Sequence, residues 1–230
     1  MNMSAIDIAG IEGGRVNLTS KQLNDLEARL EGPLVRPGDE SWDEAVLIWN
    51  GMVPKVPALV IQPTSVHDVA AAVGFARDHR LLLSVKGGGH NIGGTSIAEH
   101  GLMLDMSRMR SVTVVPEARL AHAGPGCLLK DVDRATQEHG LATVLGFVSE
   151  VGISGLTLGG GLGYLTRRFG WTVDNLDEVE IVTAEGEIRI ANRHENGDLF
   201  WATVVPVPTS ASSPGSRSAC TRSGRPSTAG

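Results

Sequence analysis

The chain has 230 residues, 41% of them hydrophobic, and a formal net charge of −6. That length supports a real hydrophobic core in one large or two small domains, and the acidic balance argues against a nucleic-acid or anionic-membrane partner. Two cysteines, Cys127 and Cys220, make neither a disulfide framework nor a metal-ligand spacing; with no secretory leader and no run near the ~18 apolar residues of a membrane span, a soluble cytoplasmic protein is expected.

The first element in chain order is a helix over residues 20–31, which sets Leu23, Leu26 and Leu30 on one face with Ser20 as N-cap and Gly32 as stop. Residues 1–41 are accordingly read as an N-terminal helical segment, with "GPLVRPGDESWDE" as a loop that runs on to residue 44. "PALVIQP" (57–63) reads as a buried strand between prolines. "TSVHDVAAAVGFARDHR" reads as a helix with Ser65 and Asp68 in capping-box spacing and a stripe of Val69, Ala72, Val73 and Ala76. "LLLSV" (81–85) is a second buried strand, so strand, helix and strand form a βαβ unit. "GLMLDMS" predicts another strand, "GCLLKDVDRATQEHG" a helix closed by Gly140, "LATVL" a strand, and "VEIVTAEGEIRIA" a hairpin turning near Glu185 and Gly186.

Glycine supplies 29 of the residues, against a usual ~7%, and two runs concentrate it. "SVKGGGHNIGG" (84–94) begins where the second strand ends, the usual ligand edge of an open α/β sheet. Consecutive glycines let several main-chain N–H groups converge on one anion without a Cβ in the way, which suits a diphosphate. The run is neither GxGxxG nor a P-loop, and a plain tight turn is the competing reading. The second run, "VGISGLTLGGGLGYL" (151–165), interleaves small residues with Ile153, Leu156 and Leu158, as a backbone lying flat against something broad and apolar would require. A phosphate nest with a flat apolar groove suggests a dinucleotide carrying a large ring system, flavin rather than nicotinamide.

The segments "WNGMVPKVPALVIQPTSVHDVAAAV", "SVKGGGHNIGG", "VGISGLTLGGGLGYLTRRFGWTVDNL", "VEIVTAEGEI" and "NGDLFWA" stand in that order across residues 42–202. In this the sequence resembles the FAD-linked oxidases of the vanillyl-alcohol oxidase or PCMH-type superfamily, in the berberine-bridge-enzyme-like branch. The resemblance implies an α+β fold, a PCMH-type FAD-binding domain of two α/β subdomains, with the substrate domain absent. It also implies FAD joined covalently to the His90 ring through the flavin 8α-methyl carbon. Gly87, Gly88, Gly89, Asn91 and Gly93 would surround the pyrophosphate. Gly152, Gly155, Thr157, Gly159, Gly160 and Gly163 would run beside the flavin and ribityl chain, Pro125 and Gly126 would turn near the ring, and Val182 would meet the adenine end. Where some relatives carry a second, cysteine link this chain has Val148, so a single attachment is expected. The bland reading stands for His67, His79 and His139 as solvated or capping helix residues, for Trp49 and Trp171 as core or groove wall, and for Cys127 as an inert small core residue.

From Thr203 to Gly230, Ser, Thr and Pro supply 15 of 28 residues and no acid occurs, a composition read as a disordered tail. Joining each codon's third base to the next codon's first two, with GC-rich choices, turns "TVVPVPTSASSPGSRSACTRSG" into "GGAGANFGVVTGVEVRLYPVG", which resembles the family's continuation. Residues 203–230 are therefore expected to be an out-of-frame translation, which the gene's nucleotide sequence tests. The function implied is an FAD-dependent oxidoreductase that moves a hydride from an alcohol or hemiacetal C–H to flavin N5, acting on a small-molecule substrate. The alternative is a non-catalytic FAD-binding fragment, because relatives are about twice as long and take their substrate domain and base from later segments. No catalytic residue, metal ligand or oligomeric state is assigned. His90 as a metal ligand lacks a second ligand at sensible spacing.

Overall fold

The computed structural model describes residues 5–204 and the backbone of the three-residue strand at 218–220. The chain divides into two compact units: residues up to Arg108 with the segment Val182–Ile188, and residues from Met109 to Ile181 with the segment that starts at Arg189.

The first unit is built on a four-stranded sheet of β3 (Leu34–Val35), β4 (Leu59–Ile61), β5 (Leu83–Lys86) and β6 (Leu102–Asp105), in the order β3-β4-β6-β5. β6 pairs in parallel with both β4 and β5. The expected βαβ unit is thus present, but its two strands flank β6 rather than each other. β6 is buried at all four positions, as a central parallel strand covered on both faces must be.

α3 (Val66–Asp78) links β4 to β5 and buries Val69, Ala72, Val73 and Ala76, the stripe read from sequence. Its N-cap is Ser65, whose Oγ accepts the Asp68 N–H at 3.3 Å. The Asp68 carboxylate does not close a capping box. It turns back to accept from the N–H groups of Glu31, Gly32 and Thr64 at 2.8, 3.0 and 2.8 Å, and from the Thr64 hydroxyl at 3.1 Å.

The N-terminal segment departs from the helical expectation. β1 (Ile6–Ala9) and β2 (Arg15–Leu18) form an antiparallel hairpin, and α1 is confined to Ser20–Glu27 with Thr19, not Ser20, as the N-cap. Thr19 and Gln22 complete a capping box there, which satisfies orphan donors at the helix start. Residues 42–46 form a short helix, α2 (Trp42–Val46), where a loop was expected. Val35, Ala45, Ile48, Val60, Ile97 and Met103 form one core cluster of this unit.

The second unit opens with the antiparallel hairpin of β7 (Val112–Val115) and β8 (Leu120–Ala123), followed by α4 (Leu129–Gln137). The expected strand at "LATVL" does not form; residues 141–145 are irregular, although Leu141 and Val144 are buried. Part of the second glycine run is helical: α5 (Ile153–Leu158) is capped by Gly152, and α6 (Thr166–Phe169) follows the run.

β9 (Glu178–Val182) and β10 (Ile188–Asn192) are neighbours, and Gly186, at φ 82°, sits in the turn as expected. α7 (Gly197–Val204) takes in Thr203 and Val204, and β11 (Ser218–Cys220) lies beside β9. The rest of the segment read as an out-of-frame tail lies outside the described residues. No helix among the described residues is long and apolar enough to cross a membrane.

Candidate functional site

In the first unit the chain leaves β5 at Lys86 and enters the glycine run at the C-terminal edge of the parallel strands. Gly89 adopts φ 68° and Gly94 φ 65°, the left-handed region that glycine enters without a steric cost. At Gly94 a side chain is also excluded by space, since a Cβ would fall 2.5 Å from Val53 Cγ1. The Asn91 carbonyl accepts the Gly94 N–H at 3.1 Å and its Oδ1 accepts the Thr95 N–H at 3.2 Å, so this side chain closes the loop on itself.

Among the described residues, the N–H groups of Gly88 through Gly93 find no acceptor within the chain. Six successive donors on a nearly bare backbone form a donor set suited to an anion. His90 stands in the middle of them, half-buried. Its ring is stacked on Trp49 with centroids 5.0 Å apart and planes at 22°. Trp49 is 63% exposed, so it is not the core residue that was one reading of it.

Lys86 directly precedes the run and would be the obvious phosphate ligand by sequence. The structure turns it inward instead: its side chain is 8% exposed and pairs with Asp105 at 3.4 Å. Its Nζ donates to the carbonyls of Ala45 at 2.5 Å and Leu47 at 3.4 Å. Asp105 also accepts from Gln62 Nε2 at 2.8 Å and from the Ser107 hydroxyl at 3.0 Å, while Arg108 Nε donates to Gln62 Oε1 at 2.9 Å. A buried charge pair holds only when such further bonds satisfy it, and here they do. Sequence reasoning gave Lys86 no role, and no local signal marks its inward turn.

In the second unit the structure brings Pro125–Leu128 alongside Gly152–Ser154. The Ser154 hydroxyl donates to the Pro125 carbonyl at 2.7 Å and the Ile153 N–H to the Cys127 carbonyl at 2.9 Å. Gly126 is buried and its N–H donates to the Met109 carbonyl at 3.1 Å.

The glycines of the second run fall into two kinds. Gly163 is bare because of the chain itself, since a Cβ there would lie 1.5 Å from the Leu145 carbonyl oxygen. Gly160 is buried at φ 99° with Trp171 3.5 Å from its Cβ position. Gly155 differs: it is exposed, and nothing lies within 4 Å of a Cβ built there. Gly159 is exposed as well, and Thr157 is buried at 3%. Val182, in the first unit, is buried at the end of β9.

Cys127 is fully buried and its thiol lies 3.3 Å from the Ser111 carbonyl. Burial pushes the thiol up to about 11, which fits an inert core residue. Val148, where a second link would need cysteine, is exposed.

A parallel sheet edge that ends in a bare, donor-rich loop defines a domain for binding an anionic nucleotide cofactor. Residues 57–192 match the family described as FAD binding domain, and the chain belongs to that family.

Among curated relatives, the FAD-linked oxidoreductase pgmH of Aspergillus terreus is 37% identical over 189 residues, 80% of this chain and 38% of that protein. The (R)-6-hydroxynicotine oxidase of Paenarthrobacter nicotinovorans is 35% identical over 173 residues, 75% of this chain and 38% of that one. Of solved structures, the Physcomitrella patens BBE-like 1 protein superposes with TM-score 0.80 at 29% identity, covering 89% of this chain and 44% of its own. The 6-hydroxy-D-nicotine oxidase of Arthrobacter nicotinovorans gives TM-score 0.78 at 30% identity, covering 86% and 42%. The chain thus spans about two fifths of the length of the relatives it matches. The PCMH-type FAD-binding fold and the berberine-bridge-like kinship expected from the motifs are both found.

FAD suits the residues present. The donors at 88–93 match the chemistry of a diphosphate.

Proposed function

We propose that this chain supplies the FAD-binding part of an oxidoreductase, with the cofactor joined to His90. The observation that carries the reading is the run of unpartnered N–H groups from Gly88 to Gly93 with the His90 ring held among them. Gly87, Gly88, Gly89, Asn91 and Gly93 would hold the pyrophosphate. Pro125, Gly126, Gly152, Gly155, Thr157, Gly159, Gly160 and Gly163 would border the flavin and ribityl chain, and Val182 the adenine end. His90 would hold the cofactor through a bond from a ring nitrogen to the flavin 8α-methyl carbon. Bound FAD supplies hydride acceptance at N5 from an alcohol or hemiacetal C–H of a small-molecule substrate. The chain's own part is to bind and orient the cofactor, and that positioning is a large share of such a reaction.

The test is to reconstitute the full chain with FAD, precipitate it in acid and measure flavin absorbance in the pellet. Wild type is expected to retain it. His90→Ala should lose acid-stable colour while still binding FAD reversibly in the native state. Folded wild-type protein that takes up no FAD would refute the reading. Acid-stable colour without oxidation of any alcohol or sugar would favour the alternative, a cofactor-binding piece without turnover.

A further inference from the structure

We propose that Trp49 is a positioning residue for His90: its indole face is the rest that fixes the plane of the imidazole. The inference builds on the reading of His90 as the attachment residue. Among the described residues, no hydrogen bond or ion pair holds the His90 ring, and the stack on Trp49 is the contact that orders it. The backbone beneath the ring is poor at the task, because it follows Gly87, Gly88 and Gly89 and glycine restrains little. Rigidity is imported from the segment 45–50.

That segment is held from three sides. Ile48 is buried in the core cluster with Ala45. The carbonyls of Ala45 and Leu47 receive the buried Lys86 ammonium. The Trp49 N–H donates to the Gly89 carbonyl at 3.1 Å, and Asn50 Nδ2 to the Ile92 carbonyl at 2.7 Å. The indole itself is 63% exposed, so its own burial does not explain where it sits. Its large face lies instead against the one titratable ring of the loop.

An unrestrained imidazole samples several rotamers. The attraction within an aromatic pair biases such a set by about two- to twelve-fold, and attachment should slow by that factor when the stack is lost.

Two measurements on the full chain test this. The first needs no cofactor: nuclear Overhauser contacts between indole and imidazole protons, with relaxation of the His90 ring. Trp49→Ala should abolish the contacts and loosen the ring, and Trp49→Leu, which keeps apolar bulk but no π face, should loosen it too. Trp49→Phe should keep the ring ordered. The second is the rate at which FAD becomes acid-stable. It should fall two- to twelve-fold in the Ala and Leu variants and return to within about twofold of wild type in Trp49→Phe, with reversible FAD affinity changed less than about twofold throughout. Should Trp49→Ala fail to fold, the Leu variant decides.

An unchanged His90 ring in the Ala and Leu variants overturns the proposal. So does a loss of reversible FAD affinity as large as the loss of attachment rate, because Trp49 would then be a wall of the groove. If wild type never forms acid-stable FAD, the attachment reading falls, while the ring-order measurement still decides whether Trp49 positions His90.

Discussion

Replacing Asp68 with alanine should destabilise the first unit severely. The carboxylate is 1% exposed and accepts four hydrogen bonds, three from the main chain of Glu31, Gly32 and Thr64 and one from the Thr64 hydroxyl. A hydrogen bond to a charged group contributes ~1.5–3 kcal/mol. Glu31 and Thr64 are exposed and would recover water, whereas Gly32 is buried, so the net loss is about 3–5 kcal/mol, near that of breaking a buried ion pair. In thermal unfolding this is a drop of roughly 6–20 °C.

Acidity follows the same site. Burial alone would push the Asp68 carboxyl up, but the N–H donors of Thr64, Glu31 and Gly32 more than reverse this and hold it below its ordinary 3.8. A folded value below the unfolded one means stability that is present above about pH 4 and lost as pH falls through the folded value. Asp68→Asn should therefore flatten acid unfolding below pH 4, besides lowering the melting temperature at pH 7. A melting temperature for Asp68→Ala within about 3 °C of wild type would refute the reasoning.

The two kinds of glycine in the second run should respond oppositely to alanine. Gly163→Ala, which meets the Leu145 carbonyl, should cost roughly 3 kcal/mol or more by melting temperature. Gly155→Ala lies in helix α5 with open space around it and should stabilise the free protein by about 0.5–1 kcal/mol while weakening FAD binding in a fluorescence titration; equal binding would remove Gly155 from the cofactor site. In a Cys220→Ser background, the Cys127 thiol, pushed up to about 11 by burial, should react with a disulfide reagent at pH 8 only on unfolding. Fast reaction of the folded chain would contradict its burial.

Periodicity made α3 and its Ser65 cap legible, because apolar positions recur over 13 residues. The turn at Gly186 was legible from Glu-Gly between two alternating runs. β4, β5 and β6 were legible as short apolar runs, whereas β1, β2 and β3 were not: β3 is the pair Leu34–Val35, and β1 and β2 are four residues each with polar residues interspersed, too short for alternation to stand out. The Gly13-Gly14 pair between those two strands, at φ 86° and 78°, was the signal that could have found the hairpin. α5 hid because its glycines suggested a backbone lying flat against a broad apolar group, although Ile153, Leu156 and Thr157 keep helical spacing.

Much the same division holds at the site. Main-chain donors at 88–93 follow from the glycines themselves. The Trp49 stack joins residues 41 positions apart, and the inward turn of Lys86 depends on Asp105 and on the carbonyls of Ala45 and Leu47, so neither is a local property of sequence.

The segment Val182–Ile188 returns to the first unit after more than seventy intervening residues, and there the Glu185 carbonyl accepts the Arg77 guanidinium. A nascent chain emerging from the ribosome must therefore carry this unit unfinished while the second one is being synthesised. Excision at Arg108 would not release a whole piece either. Swapping the units between homologues would call for three cut points rather than one, after Arg108, Ile181 and Ile188, with the loop around Glu185 travelling alongside α3.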